Sequence, residues 1–539
     1  MKDISSTGSF INFYLNNYIY VDKTKYIRDL IKLERVFISR PRRFGKSLTL
    51  DTIATLFETG VEPYFKGTWI YDKWTEPTYP VLRLNFLDLD KYSLEHFKQK
   101  LNAIISSFAR DINVKNYEEK VEPEDTIYFL LDELRKEKRQ IVILIDEYDC
   151  QMTANINNEA LYKQFQEKIK SFYDTIKNKW PIKFLGITGV TRLKDVEIFS
   201  IGSDIRDITN ASAYSQMIGF TRDEIKKYYI DYLKLAASYE NKCRVEEVTD
   251  TQIESMLDMM AQNYDGYCFD EFYKKKVFST WSVNSFFQSI IENKFVDFGD
   301  YWYDNGGLPS ILVNYLKTHK LNSLDYVEKD KTITIRVNDF KNPTSLTLIN
   351  QNVLMCQMGY LTLRSPIYSK GFMTLGIPSS EVYNALLSLM ALNIFDDTKL
   401  ENVNEQILSQ SKDVGEIIEL FNTVLNTVSY DNYPISSEAV VQQLLYMYLK
   451  GICNSVSAEL HSSKGRADLV IESDNRRIVF EFKYAKNEIE AKVKLSEAIE
   501  QFKTRDYGNI VPKKAELLRI AAVFNADPKV RAFTEYHEV

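Results

Sequence analysis

Hydrophobic positions over residues 1–215 alternate between two periods. Short β-rich runs occur at Val36 to Ser39, Val81 to Phe86, Ile141 to Ile145 and Phe184 to Thr188. Between them lie stretches with apolar residues three and four apart, such as Leu161, Phe165, Ile169, Phe172 and Ile176. The first period is that of strands and the second that of helices with one buried face. Helices are expected at Leu48 to Phe57, at Thr126 to Lys138 and over the 161–176 stripe. Strands returning through helices predict a parallel sheet covered on both faces. Residues 216–330 read as largely helical and aromatic, with breaks at Asp265-Gly266 and Gly306-Gly307, which suits a lid on that core. Over 331–430 a helix from Ser345 to Met358 precedes two strand-like runs, Tyr360 to Arg364 and Phe372 to Ile377. Helix followed by hairpin fits a winged-helix-like or helical connector. Residues 431–539 return to a mixed α/β pattern.

Composition changes this picture little. The chain has 539 residues, 45% of them hydrophobic and 27% charged, as in ordinary folded proteins. No apolar run approaches the roughly 20 residues that cross a bilayer. Five scattered cysteines and four histidines show neither a disulfide framework nor metal-ligand spacing. A reduced cytoplasmic location is therefore expected. A net charge of −7 gives no global attraction to nucleic acid, though a local basic face remains compatible with it.

Two segments carry chemistry in the first region. Arg40-Pro-Arg-Arg-Phe-Gly45-Lys46-Ser47 holds the back half of a phosphate-binding loop, between a strand and a helix. Backbone N–H groups from Arg42 to Leu48 and the helix N-terminus would face phosphates. Lys46 would reach the β- and γ-phosphates, Ser47 would ligate Mg²⁺, and Gly45 would allow close approach. The leading glycine is replaced by Arg40, so the turn there must be built differently. Arg42 and Arg43 are either phosphate contacts or a basic rim. The strand Ile141 to Ile145 then runs into Asp146 and Glu147. Asp146 would hold the metal through a water and Glu147 would activate the attacking water. A solvated acidic turn is the plain alternative, and it also describes Tyr148-Asp149. Thr188 or Arg192, after the next strand, would sense the γ-phosphate, with a surface ion pair as the alternative for Arg192. ATP and Mg²⁺ are the expected cofactors.

A second constellation lies near the C-terminus. Two β-rich runs, 467–472 and 477–485, flank the turn-prone Ser473-Asp474-Asn475. Alternation puts Glu481 and Lys483 on one face of the second strand, and Asp468 opens the first. Two carboxylates can hold a metal, and a lysine beside them can orient the attacking water. A cross-strand ion pair is the ordinary alternative. A following helix carries Leu495, Ala498, Ile499 and Phe502 on one face, with Gln501 beside them.

Together with Tyr20-Val-Asp-Lys-Thr24, Ile187-Thr-Gly-Val190, Tyr264-Asp-Gly-Tyr267 and Gly465-Arg-Ala-Asp468, these segments resemble AAA-like ATPases fused to a C-terminal PD-(D/E)XK nuclease-superfamily domain. The missing leading glycine is itself a trait of that family. The resemblance implies a P-loop NTPase core (1–215), a helical lid (216–330), a connector (331–430) and a restriction-endonuclease-like α/β domain (431–539). It gives Asp468 and Glu481 the metal, Lys483 the lysine role, Gln501 a helix position and Glu438 that of an upstream acid. Ser200-Ile-Gly-Ser-Asp204 departs from the Asn-rich form expected there. The expected activity is a Mg²⁺-dependent ATPase coupled to a metal-dependent nuclease acting on DNA before RNA. The alternative is a switch or remodelling ATPase whose last domain binds nucleic acid or protein without cutting. Nucleic acid is the expected partner, a membrane is not, and a homo-oligomer is left open.

Overall fold

A computed structural model describes residues 1–177, 179–192, 204–304, 310–316, 326, 329–343, 345–346, 348–368, 370–395, 404–428, 430, 433–451, 453, 457–460, 468–473, 475–505 and 516–539. Gly306-Gly307, residues 200–203, Asp474 and Gly465-Arg466 lie outside them. The chain divides into two compact units, residues 1–320 with 330–382, and 321–329 with 383–539.

The first unit is built on a sheet of β1 (Arg35–Ser39), β2 (Val81–Asn85), β3 (Ile141–Asp146), β4 (Ile182–Gly189) and β5 (Arg206–Asp207). Its order is β2-β3-β4-β1-β5 and every neighbouring pair is parallel. Ile141 to Ile145 are all buried, as a strand covered on both faces requires. The helices are specified locally as well as by packing. Pro123–Lys136 starts with proline, carries Glu124 and Asp125 in its first turn and Arg135 and Lys136 in its last, all favourable to the helix dipole. Glu159–Ile176 is capped by Asn158 and buries the expected stripe. The register aligns Ser39 with Gly189, and Asn85 with Asp146, so the carboxyl ends of β1 to β4 open on one edge. Open α/β sheets place their ligands at that edge.

Helices Arg222–Tyr228, Ile230–Asn241, Asp250–Tyr264 and Thr280–Asn293 form the helical layer expected after residue 216. Tyr229, Leu233, Met256 and Phe287 lie in its core, which also takes in Ile19 and Val21 from the N-terminal segment. Tyr229 and Phe287 stack with ring centroids 5.3 Å apart. A small antiparallel sheet of β6 (Ile333–Arg336), β7 (Thr362–Leu363) and β8 (Phe372–Gly376), in the order β6-β8-β7, completes the unit. The helix before β7 spans Gln351–Met358 rather than beginning at Ser345. Asn350 caps it through its side chain, which accepts from Asn352 N (2.9 Å) and Val353 N, and so fixes the start.

The second unit carries a mixed sheet of β9 (Ser457–Leu460), β10 (Leu469–Glu472), β11 (Arg476–Ala485), β12 (Glu516–Asn525) and β13 (Ala532–Glu538). β11 and β12 are parallel and the other pairs antiparallel. Helix Glu488–Arg505 lays Ala498 and Phe502, with Leu495 and Ile499, on Val470, Val479 and Ala521. No described helix is long and apolar enough to cross a membrane.

Glu381 is a buried carboxyl in the first unit, 1% exposed. Its Oε2 accepts from Ser282 Oγ (2.7 Å) and its Oε1 from Trp302 N (2.7 Å). Burial raises its pKa to about 8 in spite of those bonds. A raised carboxyl pKa contributes stability at low pH that is lost as pH climbs toward the folded value. Glu381→Gln is therefore expected to remove a fall in melting temperature between about pH 4.5 and 8, and to be the more stable form above pH 8. Thermal melts across that range check it.

Candidate functional site

The loop after β1 meets helix Lys46–Thr59 at Gly45, whose φ is +98°. A Cβ there would meet open space, so the position needs glycine for its backbone and not for room. Arg43 shares the left-handed conformation, at φ +69°. Arg40 replaces the missing glycine with a buried latch. Its Nη1 donates to Ser39 O (2.9 Å) and Thr209 O (2.6 Å), and its guanidinium lies 4.2 Å from the Phe269 ring centroid. Burial pulls its pKa down to about 9, and nearby Asp207 opposes the shift. Phe44 is buried too, packed on Tyr267 at 4.7 Å, so only its backbone remains for a ligand. The Tyr264-Asp-Gly-Tyr267 motif thus anchors the loop from the side of the helical layer.

The catalytic-looking groups converge beside this loop. Lys46 Nζ donates to Arg40 O (3.2 Å) and Pro41 O (3.3 Å) and lies 3.6 Å from Glu147 Oε1. Ser47 Oγ donates to Asp146 Oδ2 at 2.6 Å. Asp146 Oδ1 accepts from Thr188 Oγ1 and from Glu147 N. Glu147 has φ +51°, and burial raises its pKa against the pull of Lys46. Tyr148 and Asp149 are not the solvated turn that the alternative reading describes: they are 0% and 1% exposed. Asp149 Oδ2 accepts from Thr191 N (2.6 Å) and Thr191 Oγ1 (2.5 Å), and its Oδ1 from Val190 N. Tyr148 OH donates to Thr191 O at 3.1 Å. Gly189 makes room for this clamp, since a Cβ there would lie 2.4 Å from Tyr148 Cδ1.

A cavity of about 360 Å³ opens over the loop. Arg42, Arg43, Phe44, Gly45, Lys46, Ser47 and Leu48 line one end of it together with Glu147. Arg43 is held on its far side: Nη1 donates to Tyr301 O (3.1 Å) and Trp302 O (2.7 Å), and the guanidinium lies 4.6 Å from the Trp281 ring centroid. Arg192 is placed elsewhere. Its Nε pairs with Asp207 at 2.5 Å, and it lines a smaller cavity with Arg40 and Cys268. The group beside Asp146 is Thr188. Sequence reasoning gave no cavity role to other walls, among them Ser5 to Gly8, Lys23, Met217 to Phe220, Trp281 and Asn284. Lys23 is buried, donating to Gln216 O (2.8 Å) and Glu224 Oε2 (2.6 Å), and so ties the Tyr20-Val-Asp-Lys-Thr24 motif to the helical layer.

In the second unit, Asp468 sits at the entry to β10 with its N donating to Phe480 O (3.1 Å) and its Oδ2 accepting from Phe482 N (2.8 Å). It is therefore laid across the strand that carries Glu481 and Lys483. Burial and the Glu481 charge raise the Asp468 pKa to about 7. Lys483 Nζ lies 3.0 Å from Glu481 Oε1 and 3.5 Å from Glu438 Oε1. Burial pulls Lys483 down, and the two glutamates more than offset it, leaving its pKa raised. Gln501 is partly buried on helix Glu488–Arg505. Among the described residues no three His, Cys, Asp or Glu side chains gather as a ready metal cluster. Each site nevertheless suits a hard cation, which takes oxygen ligands: Ser47 Oγ with Asp146 in one, Asp468 with Glu481 in the other.

Residues 5–199 match the family described as predicted AAA-ATPase, and residues 436–533 match the PD-(D/E)XK nuclease superfamily. The chain joins an AAA-ATPase-like domain to a PD-(D/E)XK nuclease-superfamily domain. Its parallel sheet is of the P-loop NTPase type and its mixed sheet fits the nuclease superfamily. An uncharacterized protein from the vnfD 5′ region of Azotobacter chroococcum mcd 1 is 25% identical over 532 residues, covering 95% of this chain and 94% of its own. The crystal structure of Cdc6p from Pyrobaculum aerophilum aligns with 68% of this chain and 92% of its own at 12% identity, with a TM-score of 0.24. So slight a likeness bears no weight.

Asp149→Ala leaves two buried N–H groups and a hydroxyl without their acceptor. The expected loss is about 3 kcal/mol or more of first-unit stability, read from urea unfolding.

Proposed function

We propose that the first unit binds and hydrolyses ATP with Mg²⁺, and that its nucleotide state governs a metal-dependent nuclease in the second unit, acting on DNA. In this reading Lys46 neutralises the β- and γ-phosphates, while Ser47 and Asp146 would hold the Mg²⁺. Glu147 takes the proton of the attacking water, a role its raised pKa suits. The bound magnesium would supply charge neutralisation at the phosphates. Thr188 holds Asp146 in place, which leaves Arg42 as the loop arginine freest to meet a phosphate; Arg43 is committed to the lid.

One observation carries the nuclease half. Lys483 Nζ lies near Glu481 of its own strand and Glu438 of a helix, while Asp468, at the entry of the neighbouring strand, accepts from the N of Phe482 between Glu481 and Lys483. An incidental cross-strand ion pair needs two groups, whereas here a second glutamate from a helix lies near the same lysine and a buried aspartate enters the neighbouring strand. Asp468 and Glu481 would hold the metal, with Lys483 orienting the nucleophilic water and Gln501 assisting from the neighbouring helix.

Cleavage of plasmid and single-stranded DNA with Mg²⁺ or Mn²⁺, with and without ATP, tests the reading. Lys483→Ala is expected to lower cutting by at least about a hundredfold while ATP is still hydrolysed. Lys46→Ala is expected to abolish hydrolysis and the effect of ATP on cutting. ATP hydrolysis with no cutting under any condition would remove the nuclease and leave a switch ATPase.

A further inference from the structure

The chain is acidic overall, yet one surface of the first unit is basic and aromatic. It is assembled from residues 271–276, 336–341 and 366–372. These segments contain six lysines and arginines against two acids, Glu271 and Asp339, in a chain whose net charge is −7. Backbone and side-chain hydrogen bonds make them one surface. Ile367 N donates to Glu271 O (2.8 Å), Lys341 Nζ to Tyr368 O (3.2 Å) and Val337 N to Gly371 O (3.0 Å). Arg336 and Phe372 are direct partners across β6 and β8. Asp270 is buried beneath and shapes the first segment, accepting from Phe272 N (3.1 Å) and Lys274 N (3.0 Å).

Three large aromatic side chains stand out of this surface: Phe272, Tyr368 and Phe372, at 55%, 62% and 64% exposure. Exposed rings of this size cost solvation and contribute nothing to a core. Lys274, Lys276, Arg336 and Lys370 are exposed around them. Cations interleaved with free aromatic faces match a strand that offers phosphates and unstacked bases together. A duplex offers the phosphates and keeps its base faces stacked. A partner protein would need a larger apolar patch and fewer cations at its centre.

We propose that this surface binds single-stranded DNA, with Phe272, Tyr368 and Phe372 stacking bases and the surrounding lysines and Arg336 meeting phosphates. The proposal rests on the DNA reading above and adds where the first unit would hold the strand.

The test is fluorescence anisotropy of a labelled oligo-dT, in a Lys483→Ala background that does not cut. Circular dichroism and the thermal transition report that each variant folds. Lys274→Glu with Arg336→Glu and Lys370→Glu should weaken binding by at least about tenfold and lower the slope of log affinity against log salt by about two units. Tyr368→Ala with Phe372→Ala should weaken it by about fivefold or more and keep the slope. Undiminished binding by the triple charge variant would overturn the surface and leave the DNA reading intact. Absence of binding by the parent protein to oligo-dT, duplex DNA and oligo-rU alike would overturn both. Tighter binding of duplex DNA or oligo-rU, lost in the same variants, would overturn the assignment to single-stranded DNA.

Discussion

A buried carboxylate that never faces a ligand sets the geometry of the first site. Asp149 holds Val190 and Thr191 at the end of β4, and Tyr148 reaches the same Thr191 carbonyl. The two neighbouring strand ends are thereby fastened just past Asp146 and Thr188. Asp146 then stands one hydrogen bond from Ser47, and Glu147 stands beside Lys46. Charged hydrogen bonds in a dry environment are strong and directional, so the turn behaves as a rigid bracket. The four residues Asp146 to Asp149 divide accordingly: Glu147 lines the cavity, Asp146 accepts from Ser47 beside it, and Tyr148 and Asp149 turn into the protein.

The phosphate-binding loop departs from its usual form in a way that follows from the same logic. A leading glycine would normally give the chain freedom to turn. Here Arg43 and Gly45 carry the left-handed conformations, and Arg40 is used as an internal fastener between Thr209 and Phe269. Its buried guanidinium keeps its charge through carbonyl contacts and a ring face, both able to stabilise a cation away from water.

Much of this was legible in the residues. The apolar runs at Val36, Val81, Ile141 and Phe184 became strands because burial on both faces leaves a nearly continuous hydrophobic signal. Lys46 and Ser47 open the helix after β1, Asp146 and Glu147 come at the end of β3, and Glu481 and Lys483 lie two apart on one strand beside the entry of Asp468. Other features needed the fold. Glu147 and Asp149 are acids only two positions apart in sequence, and only packing separates a bracket from a cavity group. Arg192 pairs with Asp207, which lies in a two-residue strand too short to read. The cavity walls at Ser5 to Gly8, Lys23, Met217 to Phe220 and Asn284 carry no shared local pattern, because folding alone brings the N-terminal segment against the lid.

The most direct measurement is a calorimetric titration of ADP into the protein, with and without Mg²⁺, beside Ser47→Ala. The prediction is one nucleotide bound per chain, more tightly with Mg²⁺ than without, and a Mg²⁺ effect that disappears in Ser47→Ala. Binding indifferent to Mg²⁺ in the unsubstituted protein, or no binding at all, would contradict the assignment of this cavity as a magnesium–nucleotide site.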